Sequence, residues 1–150
     1  MSWTRRTLPA VLLAAAILAM SGPAGSGEVT GSLAHPFLAS LGLSGDAIAA
    51  LHHLLRKVGH FTAYGLFAWL ALRAVRGEDP VTGRAVGAAA ALAVLLAAAD
   101  EGLQRLSPAR TSSALDVAID VVGAVAALAL ASRLSARRGE AATPAGGGPG

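Results

Sequence analysis

The chain contains no cysteine. That absence excludes a disulfide framework, a thiol nucleophile and a thiolate metal site, and it leaves the redox compartment undetermined. Charge is also scarce: Asp, Glu, Lys and Arg make up 14 % of the 150 residues, against roughly 25 % in an ordinary soluble domain. The apolar share is 54 % and the mean hydropathy is positive. Such a composition suits a membrane. A hydrocarbon core about 30 Å thick needs about 20 residues per helix, so there is room for at most four or five spans and no large soluble domain. A pI near 10.6 would fit nucleic acid, but the basic residues stand at the ends of apolar runs and form no patch with interleaved aromatics. They read as topology signals, and nucleic acid is not an expected partner.

The first apolar run, Leu8 to Met20, follows Arg5 and Arg6 and precedes a Gly- and Ser-rich stretch. A short apolar core behind two arginines fits a cleaved signal peptide as well as a retained first helix. No clean small-x-small cleavage site follows, which favours the helix, over residues 1–24. Residues 25–56 are expected to be an extracytoplasmic loop. Gly25 to Gly45 is rich in Gly, Ser and Pro and has no sustained period, which reads as a loop. From Ser44, a capping residue, Ile48, Leu51 and Leu55 recur at helical spacing, as in a short amphipathic helix lying in the interface and leading into the second span. His52 and His53 point about 100° apart on a helix. They lack the i, i+4 spacing of paired metal ligands and read as interfacial.

The second span is expected from about Val58 to Val75, closed by Arg73, Arg76 and the turn that follows. Lys57, His60 and Tyr64 fall at i, i+3 and i+7, so they share one face, which should turn towards other helices. The third run, from Arg84 to Ala99, is too short by itself to cross. It reaches spanning length only by taking in Asp100, Glu101 and Gln104 and ending near Leu106, which puts acids into the membrane. The short connection from Ser107 to Ser112 makes the third and fourth helices antiparallel neighbours. The fourth span runs from Ser113 to about Leu134, with Asp116, Asp120 and Gly123 on one face. Residues 57–134 are thus a three-helix membrane core and 135–150 a disordered cytoplasmic tail. The expected fold class is all-α: a small transmembrane bundle of four spans, with the interfacial helix before the second.

With both termini cytoplasmic, the inside ends carry Arg5, Arg6, Arg73, Arg76, Arg84, Arg133, Arg137 and Arg138, and the outside ends only Arg56, Lys57, Arg105 and Arg110. That asymmetry obeys the positive-inside rule. It places His60, Asp100 and Asp116 level with one another, each roughly 7 to 11 Å above the midplane on the outer side. Intramembrane carboxylates cost about 2.5 to 3.5 kcal/mol each at a helix centre, so pairing or a water-filled cavity is expected. A structural explanation competes: Ser113 and Asp116 form a capping-box-like pair, and Arg110 is placed to pair with Glu101 across the hairpin. Buried ion pairs are, however, a poor way to gain stability.

The order and spacing of LysValGlyHisPheThrAlaTyr (57 to 64), AspGlu (100, 101), Gln104, Pro108, Arg110, Ser113, Asp116 and Gly123 resemble the VanZ-like family of bacterial integral membrane proteins, over about Leu55 to Leu130. The resemblance implies a small multi-span protein of the bacterial cytoplasmic membrane, in a family named for a member associated with low-level resistance to teicoplanin. It maps the family's polar residues onto Lys57, His60, Tyr64, Asp100, Glu101, Gln104, Arg110, Asp116 and position 120. Asp120 stands where the family usually has Asn, and Arg56 where an acidic residue often precedes the lysine.

Those nine positions form the expected ligand-binding set. Two functions stay open. One is a non-catalytic protein that binds a lipid-linked or amphiphilic envelope molecule in the outer leaflet, with Arg110 and Lys57 meeting anionic headgroups. The other is an intramembrane enzyme acting on a lipid headgroup, with Glu101 or Asp100 as acid or base, tuned by burial and by His60. The first is favoured, because Ser107, Ser112 and Ser113 fit turn and cap roles and no other nucleophile stands out. The expected partners are membrane lipids or lipid-linked envelope precursors. No cofactor or metal is assigned, and a homo-oligomer stays open.

Overall fold

Long runs of alanine and leucine, interrupted by glycine and proline chiefly between runs, favour helix throughout. The structure, a computed structural model, describes residues 3–22, 25–106 and 114–142. Among these there is no strand, and five helices follow in order: α1 (Trp3–Met20), α2 (Gly27–Ser40), α3 (Gly45–Arg76), α4 (Gly83–Arg105) and α5 (Ala114–Ala142). Three are long and apolar enough to cross a membrane: α1, α4 and, over Ala114–Gly139, α5. The expected second span lies on α3, which is not among them, since His60, Tyr64 and Arg73 dilute its apolar stretch.

Three expectations need correction. The stretch expected to be a loop, Gly25 to Gly45, contains α2. It docks against α3, and tertiary contact overrides the poor helix propensity of its Gly, Ser and Pro residues. The separate interfacial helix is not present as such: Ser44 does cap a helix, accepting from the Ala47 amide at 3.3 Å, but that helix is α3 and runs unbroken for 32 residues to Arg76. No proline interrupts it, and extending a formed helix costs little. Finally, Arg137 and Arg138, expected to begin a disordered tail, continue α5 to Ala142.

α3 is the central element and touches every other helix. At about 1.5 Å per residue its 32 residues span about 48 Å, well beyond a bilayer core of about 30 Å. Its partner α4 presents Ala85, Ala89, Ala93 and Ala97 at four-residue intervals, all buried. The same stripe runs on into Asp100 and Gln104, so the packing face of α4 becomes polar without changing direction. Against α5 the approach is closer still. A Cβ on Gly123 would stand 2.3 Å from the Phe61 carbonyl oxygen, and one on Gly65 3.1 Å from that of Gly123. Two glycines therefore let the α3 and α5 backbones meet, as small residues do where no hydrophobic effect drives association.

The outer surface is apolar and the interior partly charged, the reverse of a water-soluble domain. Leu95, Val122 and Leu130 point outward, more than half exposed, whereas Asp100 and Asp120 are buried. At one end of the bundle Arg6 of α1 pairs with Glu78 in the turn between α3 and α4. The buried acids lie towards the other end.

Candidate polar site inside the bundle

The i, i+3, i+7 stripe of α3 faces α4 and α5. Lys57 Nζ lies 3.4 Å from Asp116 Oδ1, and one turn on His60 Nδ1 lies 3.0 Å from Asp120 Oδ1. A further turn on, the Tyr64 hydroxyl donates to Asp100 Oδ2 at 3.0 Å. The regular rungs follow from matched spacing: Lys57 and His60 are three apart on α3, Asp116 and Asp120 four apart on α5, and the crossing at Gly65 and Gly123 sets the register. The His60 and Tyr64 rings are nearly parallel, 8° apart with centroids at 6.4 Å.

Asp100 has a second partner. Ser21, at the C-terminal end of α1, donates to its other carboxylate oxygen and is itself buried, 3.1 Å from the Ile17 carbonyl. The sequence reading includes Ser21 in the first segment, residues 1–24, and gives it no role. Its only signal was position: a lone hydroxyl at the end of an apolar run, four residues after Ile17 and so on the same face. Arg56 is read from the sequence as a topology signal and a family departure, not as a contact. It donates to the Gly25 carbonyl at 3.3 Å, tying the connection after α1 to α3.

Of the nine expected site residues, the structure gathers Lys57, His60, Tyr64, Asp100, Asp116 and Asp120 at one end of the bundle, as three rungs of paired side chains. Gln104 joins them from the same face of α4, buried, with its Oε1 lacking a partner among the described residues. Glu101 is held apart: its carboxylate accepts from Arg105 Nε at 3.3 Å, one turn along its own helix. Arg110, with Pro108 and Ser113, lies outside the described residues. His52 packs against α2 at Gly31, a helix contact and no part of the site.

Beside the cluster, between α1, α3 and α4, opens a cleft of about 360 Å³. Leu13, Ile17, Met20 and Ala63 give it apolar walls, and His60, Tyr64, Asp100 and Gln104 give it a polar floor. A molecule with a polar head and an apolar body would match both surfaces.

The model of the VanZ/LLP1 family matches residues 7–135, nearly the whole described chain. The chain belongs to the VanZ/LLP1 family. The match includes α1 as well as the three helices that carry the polar stripe, so Ser21 and the cleft wall formed by Leu13 and Ile17 lie within the family region. No curated protein and no solved structure matches the chain.

Proposed function

We propose that this VanZ/LLP1 protein binds the head and proximal chain of a lipid-linked or amphiphilic envelope molecule, and thereby contributes to tolerance of lipidated glycopeptides. The observation that carries the reading is the cleft beside the buried polar cluster, whose apolar walls and polar floor lie side by side. An acyl or isoprenoid chain lies along Leu13 and Ile17, and its head reaches His60, Asp100 and Gln104. Burying part of an apolar chain contributes about 0.8 kcal/mol per CH2 when the alternative is water. From lipid that gain largely vanishes, so selectivity rests on the polar floor.

The topology that goes with this reading has four spans, α1, α3, α4 and α5, in the cytoplasmic membrane of a bacterium, with both termini inside. Eight basic residues then lie inside and four outside, in accord with the positive-inside rule. In this reading α1 is kept as the first span, which the contact between Ser21, just after it, and Asp100 supports. In this orientation Arg6 and Glu78 mark the inner end and the polar cluster opens towards the outer leaflet.

The test compares wild type, Asp100→Ala and Ala16→Trp at matched membrane abundance in a susceptible bacterium, reading growth against a lipidated glycopeptide. Ala16 lines the cleft without entering the polar contacts, so the tryptophan fills the apolar part alone. Protection by wild type that both variants lose supports the reading. Equal protection by all three makes the cluster scaffolding. If none protects, the resistance role falls, and binding is decided by lipids that co-purify with wild type but not with Ala16→Trp.

A further inference from the structure

Four carboxylates gather at the polar end of the bundle, and two of them have a permanently charged partner: Lys57 for Asp116 and Arg105 for Glu101. The other two, Asp100 and Asp120, are the most deeply buried, 3 % and 2 % exposed. Among the described residues neither pairs with a lysine or an arginine. What they share is His60. Two buried carboxylates around one imidazole leave a concentration of negative charge that a low-dielectric interior penalises heavily unless a cation or protons offset it.

The geometry indicates which. His60, Asp100 and Asp120 each offer one ligand atom, and these atoms lie within 4.8 Å of one another. Around an ion with bonds of about 2.0 to 2.2 Å, neighbouring ligands sit roughly 3 to 4 Å apart, so small side-chain rotations close the set. A fourth donor lines the same cleft as two of them. Gln104 follows Asp100 by one turn of α4, is 2 % exposed and lines the same cleft as His60 and Asp100. Its Oε1 accepts no hydrogen bond from any described residue. A buried amide oxygen without a donor is costly, and a carbonyl oxygen is a ready ligand for a divalent cation.

We propose that His60, Asp100 and Asp120, completed by the Gln104 amide oxygen, hold a divalent transition-metal ion at the floor of the cleft. One imidazole nitrogen with three oxygens suits Mn2+ or Zn2+ and disfavours soft ions such as Cu(I). The groups that would orient such a site are present as well: the Tyr64 and Ser21 hydroxyls each donate to Asp100, which fixes the carboxylate. With neutral His60, the two charges of the ion balance the two carboxylates. The site needs no lipid to form. If an amphiphile also binds, the ion faces its head and attracts an anionic group.

The test is a titration of full-length protein, purified in detergent with any tag removed and stripped by a chelator, with Mn2+ followed by electron paramagnetic resonance. Wild type is expected to bind a single ion saturably, with Zn2+ displacing it. His60→Ala and Asp120→Asn are expected to weaken binding by about tenfold or more, on the scale seen when metal-site partners are removed. Gln104→Met should weaken it by a smaller factor. His53→Ala, on an exposed part of α3 outside the cleft, should leave it unchanged. Pulsed measurements on loaded wild type should show coupling to one coordinated imidazole nitrogen, a signal that does not depend on any variant folding. Absence of saturable binding or of that coupling overturns the proposal. Binding that survives both His60→Ala and Asp120→Asn overturns it too. Because no lipid enters the titration, saturable Mn2+ binding without glycopeptide protection would retain the metal site while removing the functional reading above.

Discussion

At one end of the bundle the core is built from Ala68, Ala71, Leu72, Ala85, Ala89 and Leu128. At the other end the same three helices meet through Lys57, His60, Tyr64, Asp100, Asp116 and Asp120. The first kind of contact needs only small side chains that let backbones approach; the second needs each charge to find a partner at the right height. In a bilayer the alanine-type contact already suffices to join helices. Apolar residues can often replace buried ion pairs without loss of stability, so the proposed function gives the polar rungs a use that helix joining alone does not require.

Four substitutions sharpen or break this contrast, measured as unfolding free energy in mixed micelles. Gly123→Val should have the largest effect, a loss of about 3 kcal/mol, because its side chain meets the Phe61 backbone and neither chain can yield by rotating a torsion. It should also separate His60 from Asp120, so it damages both ends together. Ala89→Leu, at a fully buried position of the alanine stripe, should cost about 2 kcal/mol by overpacking while leaving the polar contacts in register. Tyr64→Phe removes one hydroxyl from Asp100 and should cost about 1 kcal/mol. Arg105→Ala should change stability by less than about 0.5 kcal/mol, since its side chain is largely exposed and pairs along its own helix. If Tyr64→Phe proved as costly as Ala89→Leu, the polar end would be a structural clamp and the contrast would fail.

Much of the site was legible before any coordinates. Lys57, His60 and Tyr64 at i, i+3, i+7 fix a common face for any helix, and Asp116 and Asp120 do the same one turn apart. The length of the third apolar run required its acids to be counted inside it, and α4 ends at Arg105, beside the expected Leu106. The direction in which Glu101 turns was not legible. Adjacent residues on a helix point about 100° apart, so Asp100 and Glu101 could not both face His60, and nothing local says which one does. The tertiary contacts decide: Asp100 meets Tyr64 and Ser21, while Glu101, also buried, pairs with Arg105 along its own helix.

The sequence by itself determined an all-helical chain of membrane character, where its helices are apolar, and which side chains share a face, because these depend on composition and on a fixed 3.6-residue period. Only the tertiary structure decided that Gly25–Gly45 contains a helix, that α3 runs without a break, that Ser21 reaches Asp100, and that His60 meets Asp120 at 3.0 Å. Those facts depend on how closely one helix can approach another and in what register, and that is set where Gly65 and Gly123 cross, between residues more than fifty positions apart in the chain.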